Sequence, residues 1–461
     1  MNNNDFFSEE TELKRNLGFT ESLSIIVGRI IGSGIFRTPG PMMIAVGGAT
    51  GLFFGAWIIG GIATILSAIL YAELTAMMPR SGGPYVFLKA AYPPFWTFLR
   101  GWAMFFVSET ASIVAVALVF SEYGSVILEF YTGFKVPLYA EIATALMLIW
   151  ILSAVNFFGV GFSGWFQNVF SFLKTAALFA IIGAAVTSNG SFSHITDNVN
   201  TDGWNLTGMF GVVAAMRYGF FAYSGWEGAT YVAEEIKNPR KNLPLSLFFG
   251  IGGVMIIYLA VNTSYLYVLT PAEIIISNKR IASDAMTKAM GSAGGIMIAA
   301  AVMLSTFGNV STQILVKSRT WYSMARDGLF FSPLGRLNSK YKTPNAALVA
   351  QAGWASVLLL GASLNERTYE TIIDFFSFTS AVFNVSTFIS VYVLRKKYPD
   401  VSRPYRAWGY PWTLIAVLVI HIWFMVVTLI DAFIPSMLGI ILTCTGFIFY
   451  YRNKINIFSK R

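Results

Sequence analysis

Gly28-Arg29-Ile30-Ile31-Gly32-Ser33-Gly34-Ile35-Phe36-Arg37-Thr38-Pro39 is the stretch on which the fold turns. It sits inside an apolar run from about Ser22 to Val46, long enough to cross a bilayer. Three small residues, Gly32, Ser33 and Gly34, fall near its middle. A lipid-embedded helix gains nothing from central glycines unless something needs its backbone. One reading is a break that frees N–H groups, where the start of a half-helix adds positive dipole and holds a small anion such as a carboxylate. The other is packing, since Gly28 and Gly32 also form a Gly-x-x-x-Gly helix-contact face.

Composition sets the class. Of 461 residues, 55% are hydrophobic and 12% charged, with a mean hydropathy of +0.61. Soluble domains carry about 25% charged residues, so this is a polytopic membrane protein in contact with the lipid bilayer. The net charge of +9 then belongs to loops at the cytoplasmic surface and not to a nucleic-acid interface. One cysteine, Cys444, excludes an internal disulfide framework. With only His194 and His421 beside it, the chain implies no metal site and no cofactor. Neither histidine lies in a nucleophile motif, so the chain does not read as an enzyme. Met1–Thr20 is polar and lacks the order of charge, apolar core and small-residue cleavage site of a signal peptide.

Twelve apolar segments have spanning length: 20–46, 50–77, 96–124, 138–158, 163–187, 208–233, 244–268, 284–316, 344–363, 370–394, 412–432 and 434–451. With both termini in the cytoplasm, 23 Lys and Arg fall in inner segments. Five fall in outer loops: Lys135, Lys279, Arg280, Lys288 and Arg367. That asymmetry orients the chain in the cell membrane. The expected organisation is a single membrane domain. Residues 1–19 form a cytoplasmic N-terminal segment, 20–187 hold helices one to five, 208–394 hold helices six to ten, 412–451 hold helices eleven and twelve, and 452–461 form a cytoplasmic tail.

Segment six carries a second interruption, Tyr218-Gly219-Phe220-Phe221-Ala222-Tyr223-Ser224-Gly225-Trp226-Glu227-Gly228. Segments one and six hold the same place in two five-helix halves. Paired interruptions of this kind point to an inverted-repeat transporter with a site at the bilayer midplane. Either one alone would be a packing kink.

At these residues the chain resembles the L-amino acid transporter family of the amino acid–polyamine–organocation superfamily. The marks are Val27-Gly28-x-Ile30-Ile31-Gly32-Ser33-Gly34-Ile35-Phe36, Pro79-Arg80-Ser81-Gly82-Gly83-Pro84-Tyr85, Phe221-Ala222-Tyr223-x-Gly225-Trp226, and Glu234-Glu235-x-x-Asn238-Pro239-x-x-Asn242-Leu243-Pro244. The resemblance covers nearly the whole chain. It implies an all-α LeuT-type fold of 12 transmembrane helices, a 5+5 inverted repeat with helices one and six broken, plus two extra helices. It places the substrate among Ile31, Gly32, Ser33, Gly34, Ile35, Phe221, Ala222, Tyr223, Ser224 and Glu227. The carboxylate would be bound by N–H groups of Ser33 and Gly34, with Ile35 next in line. The ammonium would be bound by carbonyls of Phe221, Ala222 and Ser224, and Phe221 would be an aromatic lid. Members that pair with a single-span glycoprotein use a cysteine between segments three and four. Residues 124–140 contain none, so no disulfide-linked heavy subunit is expected.

Lys174 lies 13 residues from both Gly161 and Thr187, about 20 Å along a helix from either end. It is too deep to snorkel and must face protein or water. It could be satisfied by carbonyls for structure alone. By resemblance it tethers broken helix one in place of a sodium ion; a lysine that releases its proton would leave proton coupling open. Glu227 departs from the family's usual asparagine. As an intramembrane carboxylate it suggests a cationic substrate group, a proton site, or an ion pair with Lys174 or Arg217. Arg29 and Arg217 are also unusual, and candidate partners are Glu73, Glu109, Glu122 and Glu227. Ser224, where glycine is common, would shrink the pocket toward small or medium side chains.

The sequence therefore reads as a sodium-independent permease or exchanger for neutral L-amino acids, working by alternating access. The alternatives are a basic amino acid or polyamine exchanger and a proton-coupled amino acid symporter. The transported side chain, the coupling, the direction in the cell and the oligomeric state are not written in it.

Overall fold

Helices break where the sequence puts small residues, and two of those breaks shape the centre of the molecule. A computed structural model describes Phe7 and residues 15–79, 83–158, 164–199, 203–277 and 279–458, without the side chains of 164–171, 232, 234 and 453–458. Among these residues the structure is helical throughout, and the one extended pairing is an isolated parallel bridge between Leu17 and Ile236. Arg80, Ser81 and Gly82 of the motif after segment two, Gly161, and most of the N-terminal segment lie outside the described residues.

Segment one is three helices, α1 (Phe19–Ile30), α2 (Gly34–Arg37) and α3 (Pro39–Ala45). Next come α4 (Thr50–Met77), α5 (Pro84–Ala91), α6 (Pro94–Ala103) and α7 (Glu109–Thr132), the last two joined by a π-helical turn at Met104–Ser108. They are followed by α8 (Leu138–Phe157), α9 (Gly164–Thr187) and the short α10 (Ser193–Thr196). Segment six is α11 (Leu206–Tyr223) and a 3-10 helix, Trp226–Glu235. The remainder is α12 (Pro239–Val268), α13 (Pro271–Ser277), α14 (Ile281–Met290), α15 (Ser292–Arg326), α16 (Asn345–Ala362), α17 (Thr368–Lys397), α18 (Trp412–Asp431) and α19 (Phe433–Phe458). Ten stretches among the described residues are long and apolar enough to cross a membrane. This is the build of a multi-pass membrane protein.

Several segment boundaries differ from the sequence reading; segment three runs on to Thr132, not 124, and segment twelve to Phe458, not 451. Segment seven starts at Pro239, not Pro244. Proline at the first helical position costs no hydrogen bond, and the helix continues through Pro244. Segment eight, expected at 284–316, is two helices; Gly291 separates α14 from α15, which runs on to Arg326. Hydropathy shows apolar content and does not register a turn inside it.

Loop contacts sort the turns onto two faces. On one, Thr50 N donates to Asn198 O (3.0 Å) and Ser191 N to Tyr267 O (2.8 Å). On the other, Lys237 N donates to Leu17 O (2.7 Å), Thr343 Oγ1 to Phe157 O (2.8 Å), and Arg395 binds Glu73 (2.6 Å). Polar side chains inside apolar helices bond their own backbone: Thr64 to Gly60 O, Ser67 to Ala63 O, Thr75 to Tyr71 O. Such bonds satisfy these three hydroxyls within their own helix. Exposed apolar side chains such as Trp150, Ile151, Val419, Ile422 and Ile441 form a lipid-facing surface.

Candidate functional site

The first break follows from backbone dihedrals at Ile31 and Ser33. Ile31 turns extended (φ −65°, ψ 99°) after donating to Val27 O at 2.9 Å, and α2 restarts from Ser33. Restarting a helix leaves its first N–H groups without carbonyls behind them. Among the described residues, the amides of Ser33, Gly34 and Ile35 have no hydrogen-bond partner. All three residues are buried, as are Ile31 and Gly32. The residues named from the sequence as carboxylate donors are the ones whose amides start α2.

The second break is of opposite polarity. α11 ends at Tyr223, and Ser224 caps it: both Ser224 N (3.1 Å) and Ser224 Oγ (2.7 Å) donate to Phe221 O. Gly225 then takes φ 97°, a left-handed turn that excludes most side chains, and its Cβ position lies 2.9 Å from Arg29 O. The breaks touch: a Cβ on Gly34 would lie 2.5 Å from Ala222 Cα. Donors from one helix thus stand beside acceptors from the other, a pairing that fits the two ends of a zwitterion.

Tyr258 of α12 joins them. Its Oη lies 2.9 Å from Ile30 O and 3.1 Å from Ala222 O. A hydroxyl has one proton to give, so it serves one carbonyl at a time. Tyr223 stands differently from the other candidates. Its ring turns into an aromatic cluster with Trp57 (5.7 Å) and Tyr258 (5.4 Å), and its Oη donates to Trp57 O. Only its backbone belongs to the break. Phe221 packs on Tyr369 (6.2 Å) and Phe376 (6.0 Å) of α17, which covers the site on that side. Ser224, on the other side, is exposed.

Lys174 Nζ donates to Gly28 O, one turn before the break. It ties α9 to the end of α1, a contact that fits both the tether reading and the purely structural one. Glu227 begins the 3-10 helix half-buried, and its backbone carbonyl accepts from Thr230 Oγ1 (2.6 Å). Among the described residues its carboxylate has no ion-pair partner within 4 Å.

The expected partners of Arg29 and Arg217 are corrected. Glu73 binds Arg395, Glu109 binds Lys317 (3.0 Å) and Glu122 binds Arg37 (2.7 Å). Arg217 binds Asp374 (3.2 Å) and Asp431. Arg29 stacks over the Tyr231 ring at 5.9 Å and fills the space beside Gly228. For Arg217 the fold brings nearer acids than the expected ones, from α17 and the end of α18.

The sequence reading missed several residues. Tyr258 left no signal beyond being polar in an apolar span. Asn309 reaches the Gly32 Cβ position at 3.3 Å and accepts from Gln313, which also receives Lys317. Their i, i+4, i+8 spacing on α15 is a polar stripe that helical periodicity could have found.

Among the described residues, a helical, multi-pass build with two interrupted helices meeting at their breaks, one offering donors and the other acceptors, fits a membrane transporter. The chain belongs to the amino acid permease family, whose model matches residues 17–450. It is 30% identical over 445 residues to the Asc-type amino acid transporter 1 of Mus musculus, covering 95% of this chain and 81% of that one. It is 32% identical over 398 residues to the large neutral amino acids transporter small subunit 2 of the same species, covering 86% and 73%. It is 28% identical over 449 residues to the serine/threonine exchanger SteT of Bacillus subtilis (strain 168), covering 97% and 98%.

Proposed function

We propose that this chain is a sodium-independent exchanger of neutral L-amino acids in the cytoplasmic membrane, working by alternating access as one membrane domain. The observation that carries the reading is the contact of the two breaks, with the unbonded amides of Ser33, Gly34 and Ile35 beside the end of α11. The amides receive the substrate carboxylate, and carbonyls at the end of α11 receive its ammonium. Phe221 is the lid. Lys174 on Gly28 O supports sodium independence, because a fixed ammonium occupies the place where a cation would brace α1. Relatives named for large neutral amino acids and for serine/threonine exchange support a neutral substrate. Ser224 favours small or medium side chains.

The excess of Lys and Arg on the face of Leu17, Lys237 and Arg395 supports placing that face and both termini in the cytoplasm. Under this reading α2, α3 and α11 are outer half-helices. Segments one to five and six to ten are the two inverted repeats, with α18 and α19 the additional pair. The protein works without a disulfide-linked heavy subunit.

Uptake of a labelled amino acid panel into proteoliposomes without sodium tests the proposal, comparing empty vesicles with vesicles preloaded with unlabelled amino acid. Uptake of neutral amino acids only into preloaded vesicles is expected. Equal uptake into empty vesicles, raised by an inward proton gradient, would replace exchange with proton symport. A second reading rests on Glu227, a half-buried carboxylate with no ion-pair partner among the described residues: a basic amino acid or polyamine exchanger. Glu227→Gln separates the two, since cationic uptake collapses in that variant if the second reading holds and neutral uptake persists if the first does.

A further inference from the structure

Two arginines stand on the outer halves of the two interrupted helices, one on each. Arg37 closes α2, and Arg217 lies two turns before the end of α11. Their carboxylate partners on α17 are Glu370 and Asp374, four residues apart and so on one helix face. Arg37 is 1% exposed. Its Nε binds Glu122 of α7 at 2.7 Å and its Nη2 binds Glu370 at 3.3 Å, with the guanidinium 4.3 Å from the Tyr369 ring centre. Arg217 is 5% exposed and binds Asp374 at 3.2 Å, with Asp431 closing its other side. Tyr369, which stacks on Arg37, also packs on the Phe221 lid.

We infer that Arg37 and Arg217 form a two-point latch on the first turns of α17 that holds both outer half-helices closed over the site, and that both points release when the site opens outward. The inference rests on the orientation proposed above. Three physical points support it. Fold stability alone does not require charges here, since apolar groups of equal volume pack a buried site as well or better. Each arginine reaches across from an interrupted helix to another element, so each contact spans a joint that alternating access must open. The two points also differ in access. Arg37 and Glu122 are sealed away from water, whereas Glu370, Arg217, Asp374 and Asp431 line an open cavity of about 510 Å³ with Tyr218, Arg367 and Thr371. Water therefore reaches the second point first, and release begins at Arg217 and ends at Arg37. Both arginines are positioning residues; neither is placed against the substrate.

The test uses the full chain in intact cells, with Cys444→Ser as background and Phe376→Cys, beneath the latch, as reporter. The readout is the rate of modification by a membrane-impermeant thiol reagent added outside. Arg37→Met/Glu122→Gln/Glu370→Gln and Arg217→Gln/Asp374→Asn remove each point together with its buried counter-charges, so neither leaves a buried charge uncompensated. Each is expected to speed labelling at least about tenfold by shifting the population outward. The swapped pair Arg217→Asp/Asp374→Arg is expected to return labelling toward the parent rate. Neutralised variants that label at the parent rate would overturn the latch, and a rise in only one of them would overturn its two-point form. Labelling needs no substrate, so loss of amino acid uptake across the panel with these labelling differences intact would count against the proposed function alone.

Discussion

The two breaks have opposite polarity, and they are also finished to different degrees. The first is bare: Ser33, Gly34 and Ile35 present amides that nothing in the described structure satisfies. The second is largely capped by its own chain. Ser224 supplies two bonds to Phe221 O, and Tyr258 reaches Ala222 O. An unbonded buried amide keeps its demand for an acceptor, whereas a capped carbonyl has had much of its demand met. Under the proposed function, the carboxylate end of a substrate would meet a preformed socket, while the ammonium end would compete with serine and tyrosine. On that proposal, anchoring would belong to the first helix and discrimination to the second.

The largest expected effect breaks the contact on which the comparison depends. Gly34→Ala puts a methyl 2.5 Å from Ala222 Cα, a backbone atom that cannot turn aside. Exchange turnover in proteoliposomes should fall roughly 100-fold, the scale of an ångström-level misplacement at a reacting site. Adding Ala222→Gly should not restore it, because Cα remains; recovery to within threefold of the parent would mean the breaks do not work in contact.

Next comes the brace. Lys174→Ala removes the bond to Gly28 O from a charged donor, worth about 1.5–3 kcal/mol, or roughly 10- to 100-fold. The loss should appear in turnover, with the protein still monodisperse in detergent. Parent-level turnover would strip the first break of its support from α9.

Ser224→Gly is the smallest and the sharpest of the three. It deletes one neutral hydrogen bond to Phe221 O, worth about 1 kcal/mol. KM for amino acids should drop a few-fold and longer side chains should be accepted, because the carbonyl is freed and the pocket widened. A KM that rises instead would show that the capped carbonyl is not one the substrate competes for.

Much of this was readable before any coordinates. Gly32-Ser33-Gly34 and the small residues of Tyr218–Gly228 marked both interruptions, although a packing face fitted the first equally well and only the pairing favoured breaks. Lys174 was readable too: its depth alone demanded a carbonyl or water. Ion pairs were not readable. Arg217 finds Asp374 and Asp431, separated from it by more than 150 residues, and sequence order carries no information about which α17 turn faces which half-helix. The orientation of Tyr223 was equally hidden, since whether a ring faces the substrate or α4 depends on how α11 is rotated against Trp57.

Leu17, the residue pairing across to the end of the 3-10 helix, carries a mechanical consequence. Its N–H donates to Glu235 O at 3.0 Å and its carbonyl accepts from Lys237 N at 2.7 Å. The start of α1 and the far end of the 3-10 helix are therefore yoked at their tips, while Gly225 against Arg29 holds them together at the root. Two rods pinned at both ends lose their independent swings. The pair becomes one oar, with a single stroke to make and no slack between its blades.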